Sequence, residues 1–387
     1  MEENSTLSEL GNSAGCNSCG AILKFAPGTH SLRCDYCGFE NEITNSKETE
    51  PISELDFHSH LSNESSNSQN TQQLSTVKCT GCSAESTLKP NVTADECAFC
   101  GTALVLKNAH ITTLIKPKSV LPFKIDKKLA IESFTKWLST LWFAPSDLKK
   151  YATADKLNGM YIPYWTYDTS AFTDYSGERG IDRSETHYYS EEENGQTVQK
   201  SRTVTVTDWY HASGDVKNEF DDILINASHS LPKEYADTLE PWDLESIVPF
   251  NENYLAGFRS ESYQIGLKEG FEIAKEKIQS TIDNAIRQDI GGNHQRVHSK
   301  NTDYNNITFK HTLLPLWISS FRYRDKSFRF LINARTGKTK GDRPYSTGKI
   351  AATIISGIIA LSSFALGIVP GIIAIGIFTV LLFKVFK

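Results

Sequence analysis

The sequence contains no cysteine after residue 100, although the chain runs for 387 residues. The remaining three quarters therefore hold neither a cysteine nucleophile nor a disulfide framework. The His-Glu-x-x-His pattern of zinc proteases and the Gly-x-Ser-x-Gly pattern of serine hydrolases are also absent. We predict from these absences that the chain is not an enzyme. An active site of an unrecognised type between residues 111 and 348 is the alternative.

Basic residues are scarce at the start of the chain. Residues 1–110 contain six Lys and Arg against 14 Asp and Glu, a net charge of −8. Such a segment repels the phosphate backbone, whose attraction dominates the affinity of most nucleic-acid-binding proteins. The N-terminal segment also lacks the apolar run of a signal peptide and the basic character of a transit peptide, so we expect a cytoplasmic chain.

Cysteine is what the first hundred residues have instead. All eight cysteines lie in four Cys-x-x-Cys pairs, which form two units of identical spacing, 63 residues apart. In each unit 14 residues separate the two pairs, and a glycine follows the last cysteine. The first unit contains Cys16, Cys19, Cys34 and Cys37, and the second contains Cys79, Cys82, Cys97 and Cys100. The repeated spacing indicates two copies of one metal-binding module.

Four thiolates in a tetrahedron are a ligand set of structural zinc ions. Two Cys-x-x-Cys turns joined by a hairpin complete the shell and leave no position for water or substrate. A module of ~30 residues cannot build a sufficient core, so the metal supplies most of its folding free energy. We therefore predict two structural Zn²⁺ ions, with an iron–sulfur site or redox dithiols as alternatives. The nearby His30, His58 and His60 are expected to face solvent or to lie in the linker.

Composition divides the chain into five segments. The first zinc ribbon is predicted to span residues 12–42 and the second 75–108, with a flexible linker over 43–74. A mixed α+β middle domain with antiparallel strands is predicted for residues 111–345, and a C-terminal transmembrane helical anchor for 349–387. The predicted fold class is therefore α+β, with several domains.

The predicted linker is polar, because Ser, Asn and Gln make up 15 of residues 44–75. Such a composition buries too little apolar surface to order itself. An apolar island of Leu55, Phe57 and Leu61 interrupts the segment. This island is either a docking motif or an ordinary part of the linker, and the surrounding composition favours the second interpretation.

Two helices and several strands are predicted in the middle domain. Apolar residues recur at three- and four-residue spacing over 262–290 and a Gly-Gly pair follows, which predicts a helix there. A second helix is predicted over 125–140, beginning at Asp126. Strands are predicted at 159–175, 200–212, 306–324 and 327–333, with a long polar hairpin loop over 185–200.

A faint repeat links two of these strands. The run Tyr161–Trp165 (YIPYW) is echoed by Leu314–Trp317 (LPLW), and each run opens a strand. A proline in a strand is usually confined to a sheet edge or to the first position. Two equivalent β elements packed together explain the echo, and coincidence is the alternative.

The segment 350–383 contains no charged residue. As a straight helix its 34 residues would measure ~51 Å, against a hydrocarbon thickness of ~30 Å. Gly367, Pro370 and Gly371 lie at its centre and favour a bend. Basic residues flank both ends, which favours a helical hairpin with both ends in the cytoplasm over a single kinked span.

Residues 321–349, just before this segment, contain nine basic and two acidic side chains. Near an anionic leaflet each basic residue contributes ~1 kcal/mol to binding. We therefore expect this segment to face anionic lipid. Ordinary strand positions and ion pairs within the domain are the alternative use of these residues.

The cysteine units, the Tyr161–Trp165 and Leu314–Trp317 runs and the segment Ile332–Lys338 (INARTGK) together resemble bacterial membrane proteins with TFIIB-type double zinc ribbons. Members of that group are often mislabelled as primosomal-helicase-like through the ribbon alone, but this chain has no phosphate-binding loop. Relatives in the group sit with phage-shock and flotillin-like scaffold proteins. The resemblance therefore implies a membrane adaptor without enzymatic activity.

We expect an adaptor that is anchored at the bacterial inner membrane by its C-terminal tail and binds other proteins at the cytoplasmic face, in a membrane-stress setting. Two ribbons on a flexible tether would add avidity, because the second binding step becomes intramolecular. The alternative is a membrane-tethered nucleic-acid-binding protein. It predicts salt-dependent binding by residues 1–110 despite their acidity.

Overall fold

The computed structural model describes residues 15–43, 52–62, 70–87, 94–105, 109–152, 157–193, 196–324 and 326–365. Within them the helices are α1 (Phe57–Ser62), α2 (Lys127–Ser139), α3 (Lys233–Leu239), α4 (Leu267–Ile290) and α5 (Thr347–Ala365). The strands are β1 (Lys24–Phe25), β2 (Ser31–Arg33), β3 (Glu40–Glu42), β4 (Leu55–Asp56), β5 (Thr71–Lys78), β6 (Glu85–Thr87), β7 (Ala94–Glu96), β8 (Ala103–Val105), β9 (Ala109–Ile115), β10 (Ser119–Val120), β11 (Asn158–Glu193), β12 (Gln196–Asn226), β13 (Val248–Pro249), β14 (Arg259–Ser260), β15 (His294–Tyr323), β16 (Lys326–Asn333) and β17 (Thr339–Gly341). This mixture confirms the predicted α+β class.

The largest sheet of the described residues is built along the strand order β12-β11-β15-β10-β13. Its two central strands, β11 and β15, run antiparallel. A short strand lies parallel to each of them, since β14 pairs with β11 and β10 pairs with β15. Every residue from Met160 to Tyr167 is buried, because helices and ribbons cover both faces of this part of the sheet.

The two proline-containing runs meet at the centre of this sheet. Ile162 lies directly opposite Leu314, and the prolines, Pro163 and Pro315, follow these residues in their own strands. Half a turn about the Ile162–Leu314 pair therefore exchanges β11 with β15. The register confirms that the echo in the sequence marks two equivalent β elements.

Both prolines occupy interior strands, so the expectation of an edge or first position is wrong. Each lies where a neighbouring strand ends: the Pro163 carbonyl accepts from the N–H of Ala227, and the Pro315 carbonyl accepts from that of Ala334, at 3.0 and 3.1 Å. The carbonyl of each alanine accepts from an N–H of another loop, namely Ile265 or Ile125. The N–H that proline lacks is therefore not needed at either position.

The same half-turn relates the two longer helices of the domain. The indole of Trp165 donates to the carbonyl of Ile265, just before α4, at 2.9 Å. The indole of Trp317 donates to the carbonyl of Ile125, just before α2, at 2.8 Å. The side chain of Asp126 caps α2, as predicted. The middle domain thus contains two copies of one unit, each made of a short strand, a helix and two long strands.

Each ribbon packs directly on the middle domain. In the first ribbon the N–H of Gly28 donates to the carbonyl of Phe123 at 2.8 Å, and that of Phe25 to Ala256 at 3.0 Å. For the second ribbon, the N–H of Ser262 in the middle domain donates to the carbonyl of Glu85 at 3.0 Å. The two ribbons share separate apolar cores with the sheet, one around Tyr161 and Phe123 and one around Met160 and Ile162.

The prediction of a flexible linker over 43–74 is wrong where the structure describes it. Leu55 and Asp56 form β4, which pairs with β15. Phe57 then begins α1 and buries its ring against Tyr167 and Phe271. The apolar island is therefore a docking motif, and its few large side chains outweigh the polar composition around them. Residues 44–51 and 63–69 lie outside the described residues.

Two of the histidines near the ribbons also differ from expectation. His60 of α1 is buried and its ring meets that of Phe309 at 5.2 Å. His30 lies in the first ribbon, where Nδ1 and the Tyr254 hydroxyl are 3.1 Å apart. His58 is exposed, as expected. His30 and His60 thus help to fix their segments on the middle domain.

The predicted hairpin loop over 185–200 is wrong, since β11 and β12 continue through it to Glu193 and Gln196. β15 begins only at His294, opposite Gly180. Residues 181–193 and 196–208 therefore form a two-stranded extension beyond the three-stranded part of the sheet. We call this extension the β-arm.

The last described helix, α5, begins at Thr347 inside the basic segment that precedes the tail. In the part of the chain that the structure describes, no helix combines the length and apolar character that a membrane crossing requires. Residues 366–387 of the predicted anchor 349–387 lie outside the described residues.

Several basic residues of the segment 321–349 are used within the domain. Arg335 lies 2.5 Å from Asp243, and Lys340 lies 2.9 Å from Glu234. Lys338 donates to a backbone carbonyl at 2.6 Å, and so does Arg329 at 2.8 Å. Ion pairs and hydrogen bonds within the domain, the alternative raised from the sequence, therefore account for part of this positive charge.

His311 of β15 is buried between the rings of Trp165 and Tyr263. Its Nδ1 lies 2.8 Å from the carbonyl oxygen of Ile115, which can only accept, so Nδ1–H is the donor. Its Nε2 has no hydrogen-bond partner among the described residues. Burial lowers the pKa of His311 to about 4, because a second proton would be buried without an acceptor.

We expect the stability of the chain to fall as the pH drops from about 6.5 towards 4, because below its ordinary pKa of ~6.5 the unfolded His311 binds a proton that the folded chain excludes. The loss reaches ~3 kcal/mol at the acid end. A His311→Asn variant keeps a donor near Nδ1 but cannot titrate. Urea unfolding at pH 7 and pH 5 should show a smaller pH dependence in this variant than in the unmodified chain or in the exposed control His229→Asn. Equal pH dependence in all three contradicts the assignment.

Candidate metal centres

Four tight turns hold the eight cysteines, and all four have the same backbone geometry. In the first ribbon the N–H of Gly20 donates to the carbonyl of Cys16 at 2.8 Å, and that of Gly38 to Cys34 at 3.0 Å. Both glycines have φ above 70°, the left-handed region that glycine enters without strain. The glycine after the second pair of each unit is therefore a requirement of the turn.

The second ribbon repeats this geometry with one exception. Its second turn closes on Gly101, whose φ is 70°, by a 2.8 Å bond from its N–H to the carbonyl of Cys97. Its first turn closes on Ser83, which adopts φ 62° without being glycine. The N–H of Ser83 donates to the carbonyl of Cys79 at 2.9 Å, so the turn has the same form.

The turns bring the sulfur atoms of each unit into one cluster. In the first unit the Cys16–Cys37 and Cys19–Cys34 sulfur atoms lie 3.5 and 3.6 Å apart. In the second, the Cys79–Cys100 and Cys82–Cys97 distances are both 3.5 Å. All four sulfur atoms of a unit lie within 4.8 Å of one another. A metal with bonds of ~2.3 Å to sulfur needs separations of ~3.8 Å, so both clusters have metal-binding geometry.

The two clusters differ in their exposure to solvent. Each has two buried cysteines, which are the first and third of the unit. The second and fourth cysteines are exposed in the first ribbon, at Cys19 and Cys37, but only half-exposed in the second, at Cys82 and Cys100. The first cluster therefore faces solvent, whereas the second is partly enclosed by the middle domain.

The thiols of the second cluster differ in how readily they ionise. A hydrogen bond from Cys97 lowers the pKa of Cys82 to about 5. The same hydrogen bond, together with burial, raises the pKa of Cys97. Cys82 is therefore the first of this pair to become a thiolate, the form in which cysteine binds metal.

Glu261 is a buried residue near this cluster that the sequence analysis missed. Burial raises the pKa of Glu261 to about 8, so its carboxyl is protonated at neutral pH. It accepts hydrogen bonds from Ser230 and, at 3.3 Å, from Gln264. A protonated carboxyl adds no negative charge near the Cys82 thiolate. A single glutamate in a polar stretch carries no signal by which sequence could reveal this.

A third acidic group lies at a bulge between β11 and β12, where the sequence suggested ordinary helix-start or loop charges. It consists of Asp168, Asp221 and Asp222. Lys310 lies 2.9 Å from Asp222 and 2.8 Å from Glu54. Against the effect of burial, hydrogen bonds from Asp168, Lys310 and Thr308 hold the pKa of Glu54 at about 2. The group clamps the segment before β4 to the sheet, and we assign it a structural role.

Neither metal cluster includes a histidine among the described residues. The structure brings together all eight cysteines named from the sequence in the two predicted sets, Cys16, Cys19, Cys34 and Cys37, and Cys79, Cys82, Cys97 and Cys100. Four protein ligands fill a tetrahedral shell, so the arrangement suits a structural metal ion better than a catalytic one.

No known protein-family profile matches this chain. The chain is similar to the uncharacterized protein YdjG of Bacillus subtilis (strain 168), with 31% identity over 239 residues. The matched region covers 62% of this chain and 67% of YdjG. Identity at this level, over two thirds of the relative, reflects a shared fold and descent. The chain therefore belongs to the same family as YdjG.

Proposed function

We propose that each cysteine cluster holds one structural Zn²⁺ ion and that the chain is a TFIIB-type double zinc-ribbon protein. The support is the donor set, four thiolates on two identical turns, repeated at the same spacing in two places. Zinc in such a shell contributes folding free energy and leaves no open coordination position. An iron–sulfur centre is the competing occupant, and metal analysis separates the two.

The chain acts as a protein-binding adaptor and has no catalytic role. The observation that carries this proposal is the first ribbon's outer end, where Ile22 and Tyr36 are 64% and 86% exposed on the two cysteine turns. Apolar side chains held on a rigid metal-bound turn make a binding anchor at low conformational cost. The second ribbon packs against the middle domain, so we assign recognition to the first ribbon.

The charges of the first ribbon favour a protein over a nucleic acid. Lys24 lies 2.5 Å from Asp35, and Arg33 lies 3.8 Å from Glu40. Both cations are therefore paired with acids on the same surface. Phosphate binding depends on cations that can replace counterions, and these pairs weaken that attraction.

The tail anchors the chain at the bacterial inner membrane, with its bulk on the cytoplasmic side. The support is α5, which exposes Ile354, Ile355, Ile358 and Ile359, at spacings that place them along one side of the helix. An apolar stripe of this kind is stable in lipid and costly in water. Basic residues before α5 that are not used within the domain, such as Arg322 and Lys326, are the ones available to anionic lipid.

A crosslinking pull-down of the full-length chain from native membranes tests the adaptor proposal. We expect the chain to capture a protein, and the Ile22→Ser, Tyr36→Ser variant to lose it, because the two apolar anchors are removed. Ile111→Ser is the matched control, since Ile111 is 74% exposed on β9 and lies outside the ribbon turns.

Each other outcome of this pull-down has a definite meaning. Equal capture by the variant and the control would remove the first ribbon as the recognition surface. Recovery of nucleic acid in place of protein would establish the alternative, a membrane-tethered nucleic-acid-binding protein. Binding by residues 1–110 would then fall steeply with salt concentration.

A further inference from the structure

The β-arm extends beyond the rest of the sheet as two strands only. Its 181–193 and 196–208 segments pair residue by residue from Ile181 opposite Asp208 to Glu193 opposite Gln196. At the rise of a β-strand each segment is ~40 Å long. A two-stranded ribbon of this kind is marginally stable in water, and a third strand with a shared face is what stabilises it.

The outer edge of the β-arm belongs to β12. Among the described residues, β12 pairs with β11 alone and is the terminal strand of its sheet. At the middle of the arm it reads Thr203–Thr207 (TVTVT), with β-branched residues throughout and neither charge nor proline. Natural edge strands are usually blocked by such features, and an unblocked edge of this composition pairs with another strand.

The side chains along this edge are arranged so that the strand complements itself. Counting in both directions from Val204, Lys200 and Asp208 lie at the same separation with opposite charges, and Thr203 and Thr205 are immediate neighbours. An antiparallel strand centred on the same valine would therefore place each lysine opposite an aspartate. Threonine would face threonine, a favourable cross-strand pair.

We propose that β12 pairs with β12 of a second copy of this chain, antiparallel and in register about Val204. The two β-arms then form one four-stranded sheet, which supplies the missing strands. The contact uses the same patch on both copies, as a two-fold dimer requires. This inference does not depend on the adaptor function.

Charges inside each β-arm extend the complementarity across all four strands. Lys200 lies 3.0 Å from Glu191 of its own β11, and Asp208 lies 2.7 Å from Arg183. In the paired register Lys200 of one copy faces Asp208 of the other. Acid and base then alternate from one outer strand of the dimer sheet to the other, and each charge has a neighbour of opposite sign.

A charge exchange tests the register. Lys200→Glu places two acids opposite each other, and Asp208→Lys places two bases, so each single variant should weaken dimerisation at least tenfold. The Lys200→Glu, Asp208→Lys double variant restores opposite charges between copies and should recover most of the affinity. It restores neither internal pair, since Glu191 and Arg183 are unchanged. The measurement is sedimentation equilibrium of the full-length chain in detergent.

A cysteine at the proposed axis gives a second test. In the dimer the two copies of Val204→Cys lie directly opposite, at a Cα separation compatible with a disulfide. Mild oxidation should link this variant into a covalent dimer, whereas Val198→Cys, whose copies are well separated in this register, should stay monomeric on a non-reducing gel. A monomeric full-length chain, equal crosslinking of both cysteines, or a double variant no stronger than the singles overturns the proposal.

Discussion

Removing two ligands from the second metal cluster should unfold most of the chain, whereas the equivalent change in the first should not. The matched variants are Cys82→Ser, Cys100→Ser and Cys19→Ser, Cys37→Ser, because these cysteines hold the same places in the two units. The second cluster shares its apolar core with the centre of the large sheet, including Met160. Loss of its metal therefore exposes the main core of the domain.

The expected difference is large on the scale of protein stability. Structural zinc contributes ~10 kcal/mol to the folding of a small module, which is comparable to the whole stability of a typical domain. We expect the second-cluster variant to lose its cooperative unfolding transition. The first-cluster variant should keep it, with a loss of ~3 kcal/mol or less from the middle domain, because the exposed end of that ribbon lies away from the sheet.

Thermal unfolding followed by near-ultraviolet circular dichroism distinguishes these outcomes, since it reports the packing of the buried aromatic residues of the middle domain. Equal loss of the transition in both variants would mean that the two ribbons are equally integrated into the fold. A second-cluster variant that unfolds like the unmodified chain would mean that its cysteines contribute no metal to the folded state.

Deletion of residues 350–387 should move the protein from the membrane fraction to the supernatant. The deleted part contains a segment of 34 residues without charge and the exposed isoleucines of α5. Burial of one isoleucine side chain in an apolar phase is worth ~2 kcal/mol, so the full segment dominates the partition between water and lipid.

The measurement is ultracentrifugation of cell lysate with a carbonate wash, followed by detection of the full-length and shortened chains. A matched control is the intact chain with Ile111→Ser, which removes one exposed isoleucine outside the tail. If the shortened chain still sediments with washed membranes, the tail is not the anchor. The basic residues of 321–349 would then be the place to look.

The metal centres are the part of the molecule that the sequence predicts best. A Cys-x-x-Cys turn is local, its geometry depends on few residues, and its spacing repeats, so the spacing alone assigns all eight ligands to two sets. The glycine at position 38 or 101 adds to this, because the turn needs a left-handed residue there.

The docking of the linker segment could not be predicted from composition. Phe57 is one large apolar residue in a polar stretch, and its burial depends on the rings of Tyr167 and Phe271, far away in the sequence. A compositional rule averages over the segment, whereas docking depends on a few side chains and on a surface supplied by another part of the chain.

The β-arm escaped prediction for a different reason. Strands are recognised by an alternation of apolar and polar residues, which reflects one buried face. Both faces of the arm are largely polar, with Glu191 and Lys200 on one side and Thr203 and Thr205 on the other, so no alternation marks it as strand. Charged residues in an exposed ribbon look like a loop when only the local sequence is considered.

The duplication inside the middle domain lies between these cases. The echo around Pro163 and Pro315 is visible in the sequence, but it spans only a few residues. Its meaning comes from the pairing of Ile162 with Leu314, which only the three-dimensional register provides. The equivalence of α2 and α4 is hidden in the sequence, because the helices differ in length and only their tryptophan contacts coincide.

Metal analysis of the purified full-length chain tests the central claim most directly, because both ribbons and the core shared with the second one depend on it. Inductively coupled plasma mass spectrometry, with the protein concentration from amino-acid analysis, should give two zinc ions per chain and no stoichiometric iron. Each matched cysteine variant should bind one zinc ion fewer. Iron in place of zinc, or a folded full-length chain without metal, would contradict the account.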